Sequence, residues 1–484
     1  SSSNSGGIRP RSAYLKVIGD FARWRDQLVF GCDDSAQREF LNKRKAKGGI
    51  EGPGQSNSNI WFTSLDRPDL LGPSTASGAV WLEEEVDAGQ ISEPFLFTGW
   101  PMRSAWIVNH SLQNNELVFE VDQIGNGNWE MLRKEKLNGG ESRQIIFSDD
   151  ENGEWIRTVS SEKANLSVQY SYTEIDHRPT GPDEIFKGLL EVGESEQTSG
   201  LLYGLGNDRR ALGISARYQG EDAGYYELNE KMELGKKKDP ETKDFIDEKF
   251  AIPSNVISIE RSSVLIIDDK DRRWRLPLGD QNYHDLINSA QLRISREVAT
   301  ERDLFSCHGT FYELPAENAD GFAKIRPIAS HNFRIHDYAS YRGMLIMTGI
   351  NPQVGKGNPH VIVSEDQKAA VWAGVIDDLW SLGKPKGKGG PWLGTKAETG
   401  IPSDPYLIGF YDKRSLSLKH GLDEKVTFTV EVDPSGQGPW IEFMEFEVSP
   451  EETLDYIFPD QFQARWIRFK VDKDCEATAL LEYN

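Results

Sequence analysis

"SEPFLFTGWPMRSAWIVN" (92–109) and "SDPYLIGFYDKRSLSLKH" (403–420) are two versions of one segment, and what they form decides the fold. The correspondence continues at a constant offset of 311. Glu120, Val121, Asp122, Gly125, Gly127 and Trp129 answer Glu431, Val432, Asp433, Gly436, Gly438 and Trp440, "EWIR" at 154–157 answers "RWIR" at 465–468, and Tyr172 answers Tyr483. Backwards, Trp61 pairs with Trp372, Asp66 with Asp377, Leu71 and Gly72 with Leu382 and Gly383, and Trp81 with Trp392. Further upstream, "DFARWRDQLVFG" (20–31) resembles "DYASYRGMLIMTG" (337–349), with the offset now 317. The duplicated unit is about 150 residues, one copy at each end of the chain.

Within a copy the pattern is strand, turn, strand: "ELVFEVD", Gly-rich "QIGNGN", "WEMLRKEKL", then "RQIIF", "EWIRTV" and "NLSVQYSY". Apolar and polar residues alternate over short runs broken by Gly, Asn and Asp, which is the antiparallel-strand pattern. The middle keeps the rhythm less faithfully, as in "GLLYGLGNDRRALGISARY" and "SSVLIIDDKDRRWRLPLG", and helical periodicity is confined to a short turn near "YHDLINSAQL". The class is all-β. At about 40–70 residues per blade the length predicts a seven-bladed β-propeller, with the similar N- and C-terminal segments meeting at ring closure. On this reading residues 1–12 are a flexible N-terminus and 13–484 a single catalytic propeller domain. The competing arrangement places the copies in two β-sandwiches flanking a middle domain; the absence of a Pro/Ser/Gly-rich linker favours the ring.

Composition narrows the partners. Thirteen Trp, 45 Gly and 37% hydrophobic residues in 484 suit many short strands joined by tight turns. No run approaches the roughly 20 apolar residues that cross a bilayer. The formal charge of −22 opposes nucleic-acid and anionic-membrane partners through long-range repulsion. The polar start "SSSNSGGIRPRS" lacks a signal-peptide hydrophobic region and is expected to be a processed or flexible N-terminus of a secreted, extracellular protein. Cys32, Cys307 and Cys475 have no metal-ligand spacing and cannot all pair within one chain. "DDKDRR" (268–273) lacks the ligand spacing of a calcium loop and is expected to be a solvated hairpin tip. No metal and no cofactor is expected, and the chain is expected to be a monomer.

Duplicated positions serve the scaffold, so chemistry is sought where the copies differ. The insertion "DDSAQREFLNKRKAKGGIEGPGQSNSN" (33–59) concentrates Lys43, Arg44, Lys45 and Lys47 in an acidic chain. It is either a solvated loop or a device that captures an anionic substrate. "LFSCHGTFYELP" (304–315) and "HNFRIHDYASYRG" (331–343) hold three of the eight histidines, His308, His331 and His336, among Arg334, Arg342, Tyr312, Tyr338 and Tyr341. The plain alternative has these histidines satisfied by backbone carbonyls and the arginines paired with Asp337 or Glu313. On an extended segment Arg334, His336 and Tyr338 share one face, and His331, Phe333 and Ile335 the other.

Imidazole titrates near neutrality, Tyr donates or relays a proton, and Arg neutralises a carboxylate. Eliminating a glycosidic bond at C4 of a uronic acid needs all three: carboxylate neutralisation, removal of the C5 proton, and protonation of the departing oxygen. His308 and His331 are the leading acid/base candidates, with His336 in support and Tyr338 as relay. Arg334 or Arg342 neutralises the carboxylate, and Tyr312, Lys43, Arg44 and Lys45 join Arg342 in binding substrate. There is no "GxSxG" elbow, "HExxH" helix or P-loop. A glycosidase built on paired carboxylates stays open.

"FGCDD", "EFLNKRKAKG", "QSNSNIWF", the "SEPFLF" and "SDPYLI" pair and "HGTFYELP" resemble secreted propeller proteins of polysaccharide-degrading microbes, among them the L-rhamnose-α-1,4-D-glucuronate lyases. The resemblance implies a seven-bladed propeller that releases terminal rhamnose from arabinogalactan-type glycans such as gum arabic and leaves an unsaturated glucuronate. It also implies extracellular localisation and an acidic oligosaccharide or polysaccharide as partner. An exo-rhamnosidase-like hydrolase and a non-catalytic glycan-binding propeller are the alternatives. A lyase creates a conjugated double bond, a hydrolase releases sugar without one, and a binder does neither.

Overall fold

Each end copy folds into two facing four-stranded sheets. In the first, strands Thr75–Val86, Ala164–Thr173, Met102–Asn109 and Ser142–Phe147 lie side by side in that order, opposite Phe95–Leu96, Trp155–Ser160, Asn115–Asp122 and Trp129–Leu137. In the second the order repeats: Gly387–Ala397, Cys475–Tyr483, Arg414–His420 and Leu454–Ile457 opposite Tyr406–Leu407, Trp466–Val471, Val426–Asp433 and Ile441–Val448. This order, first strand beside last, is the eight-stranded jelly roll. The computed structural model describes residues 7–33, 58–205, 211–289, 291–299 and 302–484.

The all-β expectation holds. The seven-bladed ring does not: the copies are sandwiches, and among the described residues no closed ring of blades is formed. A blade pairs neighbours in sequence, whereas here Thr75 pairs with Thr173 across the whole copy. Both arrangements produce the same period-two alternation, so alternation alone could not separate them.

The matched residues are scaffold, and they do the same work twice. Asp122 accepts hydrogen bonds from the Gly127 and Asn126 amides (2.7 and 3.1 Å), and Asp433 from those of Gly438 and Gly436 (2.9 and 2.8 Å), which closes the Gly-rich turn. Arg157 donates to Glu120 (2.7 Å) and lies 4.3 Å over the Trp129 ring; Arg468 donates to Glu431 (2.6 Å) and lies 4.2 Å over Trp440. The two turns differ in what surrounds them. A Cβ on Gly438 (φ +103°) meets nothing within 4 Å, but one on Gly436 (φ +77°) would stand 2.2 Å from the Ala323 carbonyl oxygen. Gly438→Ala therefore costs about 1 kcal/mol of left-handed strain. Gly436→Ala costs several times more because backbone must move; denaturant midpoints of the two variants give the comparison.

The sandwiches meet at Trp106, whose indole N–H donates to Gln463 O (2.6 Å) and whose ring packs edge-on against Phe443 and Phe462. Between the copies run further antiparallel meanders. Strands Ser258–Ile259, Val264–Ile267 and Arg273–Leu276 extend one sheet of the second sandwich, with Arg275 beside Tyr406. Within this meander, "DDKDRR" forms the expected hairpin tip: Asp268 accepts from the Lys270 and Arg272 amides, both at 3.0 Å.

The other meanders stack face to face. Sheet 338–374 turns Ala339, Tyr341, Ile346 and Val371 toward sheet 198–237, and Tyr338, Leu345, Met347 and Trp372 toward sheet 295–330. Burial of both faces accounts for its nearly unbroken apolar runs, "MLIM" and "AVWAG". The outer face of sheet 198–237 is covered by helix Pro240–Lys249, whose Ile246, with Phe250 just beyond it, packs on Leu201, Tyr203 and Tyr225. Cys32, Cys307 and Cys475 are all buried, and no disulfide joins them.

Candidate active site

Helix Pro240–Lys249 begins at Asp239, whose carboxylate accepts from the Thr242 amide (3.1 Å), with proline in the first turn. Capping of this kind fixes where a helix starts. The helix lies along strands Leu212–Tyr218 and Glu221–Leu228, whose register shifts after Ala216 so that Arg217 faces Asp222. A bulge re-aims side chains locally. Here it sets Arg217 and Asp222 on the rim of a cavity of about 460 Å³ that Ser215, Lys243, Asp247 and His336 also line. That volume is in the range of small-molecule sites.

Backbone bonds clamp His336: its amide donates to Thr348 O (3.0 Å) and its carbonyl accepts from the Arg293 amide (2.9 Å). Its Nδ1 lies 3.0 Å from Gly200 O, which places the ring proton on Nδ1 and leaves Nε2 as the basic nitrogen. Burial lowers the His336 pKa, against the pull of Asp337, so the ring is neutral at neutral pH. Lys243 holds Asp247 at 2.7 Å and Asp222 at 3.3 Å. Burial alone would lower its pKa; the two carboxylates more than offset this, so it keeps its charge. Ser215 donates to Asp247 (2.5 Å). The pocket thus combines a neutral base, two cations and two carboxylates.

The remaining residues singled out by sequence lie in several environments. Arg334 pairs with Glu196 (3.2 Å) and bonds Gln291, and Glu196 in turn stands 3.7 Å from Arg217. Arg334 and His336 both reach toward residues 196–200 and the His331 and Phe333 rings stack, but Tyr338, expected on the face of Arg334 and His336, packs with Ile335 and Phe311 on the His331 side, because residues 334–337 are not a regular strand. Tyr338 is buried and donates to the Ile294 and Leu304 carbonyls. Tyr312 is buried with its hydroxyl 3.4 Å from that of Tyr411. Arg342 (φ +53°) is exposed in the hairpin turn between Tyr341 and Met344. Lys43, Arg44 and Lys45 lie outside the described residues.

His308 and His331 border a cavity of only about 10 Å³. His308 (φ +50°) and Gly309 (φ +81°) form the two-residue turn between Cys307 and Thr310, a geometry that favours a primed turn. Its Nδ1 accepts from the Gly279 amide (2.9 Å), and its Nε2 stands 3.1 Å from His284. Burial, helped by His284, lowers its pKa to about 4. His331 accepts from the Phe333 amide at Nδ1 (3.1 Å), its Nε2 is shielded without a partner, and burial lowers its pKa to about 3.

Both rings are neutral in the fold but protonate near pH 6.5 when unfolded. Their stabilising contribution is complete above about 6.5 and is lost as pH falls toward the folded values. His308→Asn, which retains a residue suited to the turn, flattens the acid limb of Tm against pH between about 6.5 and 4. An unchanged limb contradicts this.

Sequence reasoning missed Ser215, Arg217, Asp222, Lys243 and Asp247. The run Asp239-Pro240 was the available signal for the helix, since an acidic cap followed by proline marks a helix start. The meeting of Arg217 with Asp222 depends on the bulge and had no signal.

No family model matches the chain, and no curated protein matches it. Among solved structures the chain is similar to several at low identity. PirA is 13% identical over 21% of this chain and 93% of its own, with a TM-score of 0.13. The PBSX exported protein XepA is 7% identical over 84% and 86%, with a TM-score of 0.17. Bacillus subtilis oxalate decarboxylase OxdC is 9% identical over 99% and 78%, with a TM-score of 0.16. At such TM-scores these likenesses carry no conclusion about fold or chemistry.

Proposed function

We propose that the protein is a carbohydrate-active lyase that cleaves a sugar linked to C4 of a glucuronate in an acidic glycan, working in the His336 pocket. The observation that carries this is a neutral imidazole with a free basic nitrogen on the same cavity as Arg217 and Lys243. Arg217, whose carboxylate neighbour Glu196 stands 3.7 Å away, neutralises the uronate carboxylate, which acidifies the C5 proton, and His336 Nε2 removes that proton; Lys243 is held by Asp222 and Asp247. In a gluco-configured uronate the C5 proton and the C4 oxygen lie on the same face of the ring. One imidazole can therefore take the proton and return it to the departing oxygen as the C4–O bond breaks and the C4=C5 bond forms.

The chain's charge of −22 makes local cations all the more necessary for an acidic substrate. The proposed substrate, a terminal rhamnosyl-glucuronate of arabinogalactan-type glycans in an extracellular setting, rests on the sequence resemblance alone, whose implied propeller the fold does not form. A second reading, a glycoside hydrolase, rests on Asp222 and Asp247, which approach the same Lys243 ammonium and so lie close enough to act as a carboxylate pair. Incubation with gum arabic tests both: a lyase releases rhamnose together with an ultraviolet-absorbing unsaturated uronate, a hydrolase releases rhamnose alone, and release of neither removes both readings.

A further inference from the structure

The two copies part company at Trp106. In the first copy Trp106 stands beside Gln169 on the outer face of its sheet and fills the contact with the second sandwich, against Phe443 and Phe462. The residue 311 further on is Ser417, which stands beside Leu480 in the same register. Ser417 borders a cavity of about 330 Å³, at the lower end of the range of small-molecule sites. Part of its wall is the turn at Arg261 and Ser262, which comes close because strand Gly387–Ala397 carries two glycines there. Ser262 accepts from the Gly390 amide (2.8 Å) and donates to the Gly390 carbonyl (3.0 Å), and a Cβ on Gly389 would lie 1.9 Å from the Ser262 carbonyl oxygen. Leu278, Leu393 and Leu480 give the cavity an apolar side, Ser415 a hydroxyl, and Arg261, Lys388 and Glu482 charge. Among the described residues none of these three charged groups has an ion-pair partner. In the first copy the positions of Lys388 and Glu482 are held by Ser77 and Ser171, so both charges belong to the second copy alone.

We propose that this cavity on the second sandwich is a binding site for one hexuronate unit of an acidic glycan, separate from the His336 pocket. The sugar ring's C–H face lies on the leucines, its carboxylate is held by Arg261 and Lys388, and Ser415 and Glu482 bond its hydroxyls. Each kind of lining group thereby gains a partner of its own chemistry. An inorganic anion would leave the leucine side uncovered, and an aromatic or acyl ligand would strip water from Ser415 and Glu482 without replacing its hydrogen bonds. A neutral sugar would leave the two free cations unused. In a chain of net charge −22, which repels acidic ligands at long range, such cations decide where one can settle. The site follows from the lining and the duplication, and does not rest on the catalytic reading.

Isothermal titration of the full chain carrying Arg217→Ala with methyl β-D-glucuronoside tests the inference. That background removes the carboxylate contact of the His336 pocket, so the binding result is read separately from the catalytic proposal, which stands or falls on turnover. The Arg217→Ala chain binds the glucuronoside at one site and binds methyl β-D-glucoside about tenfold more weakly or worse, the difference being the charged contacts to the carboxylate. Adding Lys388→Ala, at an exposed residue, weakens glucuronoside binding about tenfold and leaves the thermal midpoint in place. Adding Ser417→Trp instead returns the indole that the first copy carries and abolishes binding; should that variant not fold, Lys388→Ala decides alone. A chain that does not bind the glucuronoside, or binds both glycosides alike, overturns the inference. A folded Lys388→Ala or Ser417→Trp chain with undiminished affinity overturns it as well.

Discussion

His336→Gln lowers turnover on a rhamnosyl-glucuronate substrate by about 10²- to 10⁴-fold, the usual contribution of a general acid/base group. Glutamine keeps an amide donor for Gly200 O but cannot accept a proton at the C5 position, so the thermal midpoint moves far less than the rate. Because burial lowers the His336 pKa, the base stays unprotonated to pH values below the ordinary 6.5 or so of imidazole. The acid limb of the rate profile accordingly falls on the acidic side of that value and disappears in the variant. Arg217→Ala acts differently: it loses a carboxylate contact that is present in the ground state and strengthens as charge develops in the transition state, and so raises KM as well as lowering kcat. Turnover of His336→Gln equal to the wild type contradicts the role assigned to the imidazole.

Asp337→Ala destabilises the fold by about 3–5 kcal/mol, the cost of breaking a buried ion pair from one side. Asp337 is fully buried and bonds Arg293 (2.9 Å), Arg296 (3.2 Å) and the amides of Leu202 (2.9 Å) and Tyr338 (2.8 Å), joining sheets 198–237, 295–330 and 338–374. Burial alone would raise its pKa; the two guanidiniums and the Leu202 amide outweigh burial and hold it below the ordinary carboxylate range. The arginines respond in opposite directions. Arg296, wholly buried and beside another cation, is lowered, whereas the pull of Asp337 on Arg293 exceeds its burial and raises it.

Since the folded carboxyl is the stronger acid, its contribution is full above about pH 4 and is lost as pH falls through the folded value. Urea midpoints of wild type and Asp337→Ala should converge in acid and differ most near neutrality; a constant or vanishing gap contradicts the network's role. The node also sets the site: His336 precedes Asp337, and Leu201, which lines the pocket, precedes Leu202.

Much of this was legible in the residues, and the limits were physical. The offset of 311 carries intact from Phe95–Leu96 beside Tyr406–Leu407 to Trp155–Ser160 beside Trp466–Val471, so strand positions in one copy predict those in the other. Alternation revealed strands but not which strands pair. The union of Thr75–Val86 with Ala164–Thr173 is a long-range choice made by the buried faces, and a local period cannot encode it. The histidine segment was visible as a cluster of unusual residues, and His336 does reach a cavity. That His308 and His331 border almost no space follows from burial by Tyr283, Phe311 and Phe333, whose proximity is tertiary. The cationic half of the pocket, Arg217 on a hairpin bulge and Lys243 on a helix, lies well upstream of the histidine segment that begins at Leu304, so nothing local in that segment announces it.

The central claim, elimination at a uronate by His336, is tested most directly by following ultraviolet absorbance of the C4=C5 product and free rhamnose together, for wild type and His336→Gln, on one rhamnosyl-glucuronate glycan. The account predicts that both signals rise in step for the wild type and that both collapse in the variant while it remains folded. Rhamnose released without the absorbing product, or a folded His336→Gln that forms the product at the wild-type rate, would contradict it.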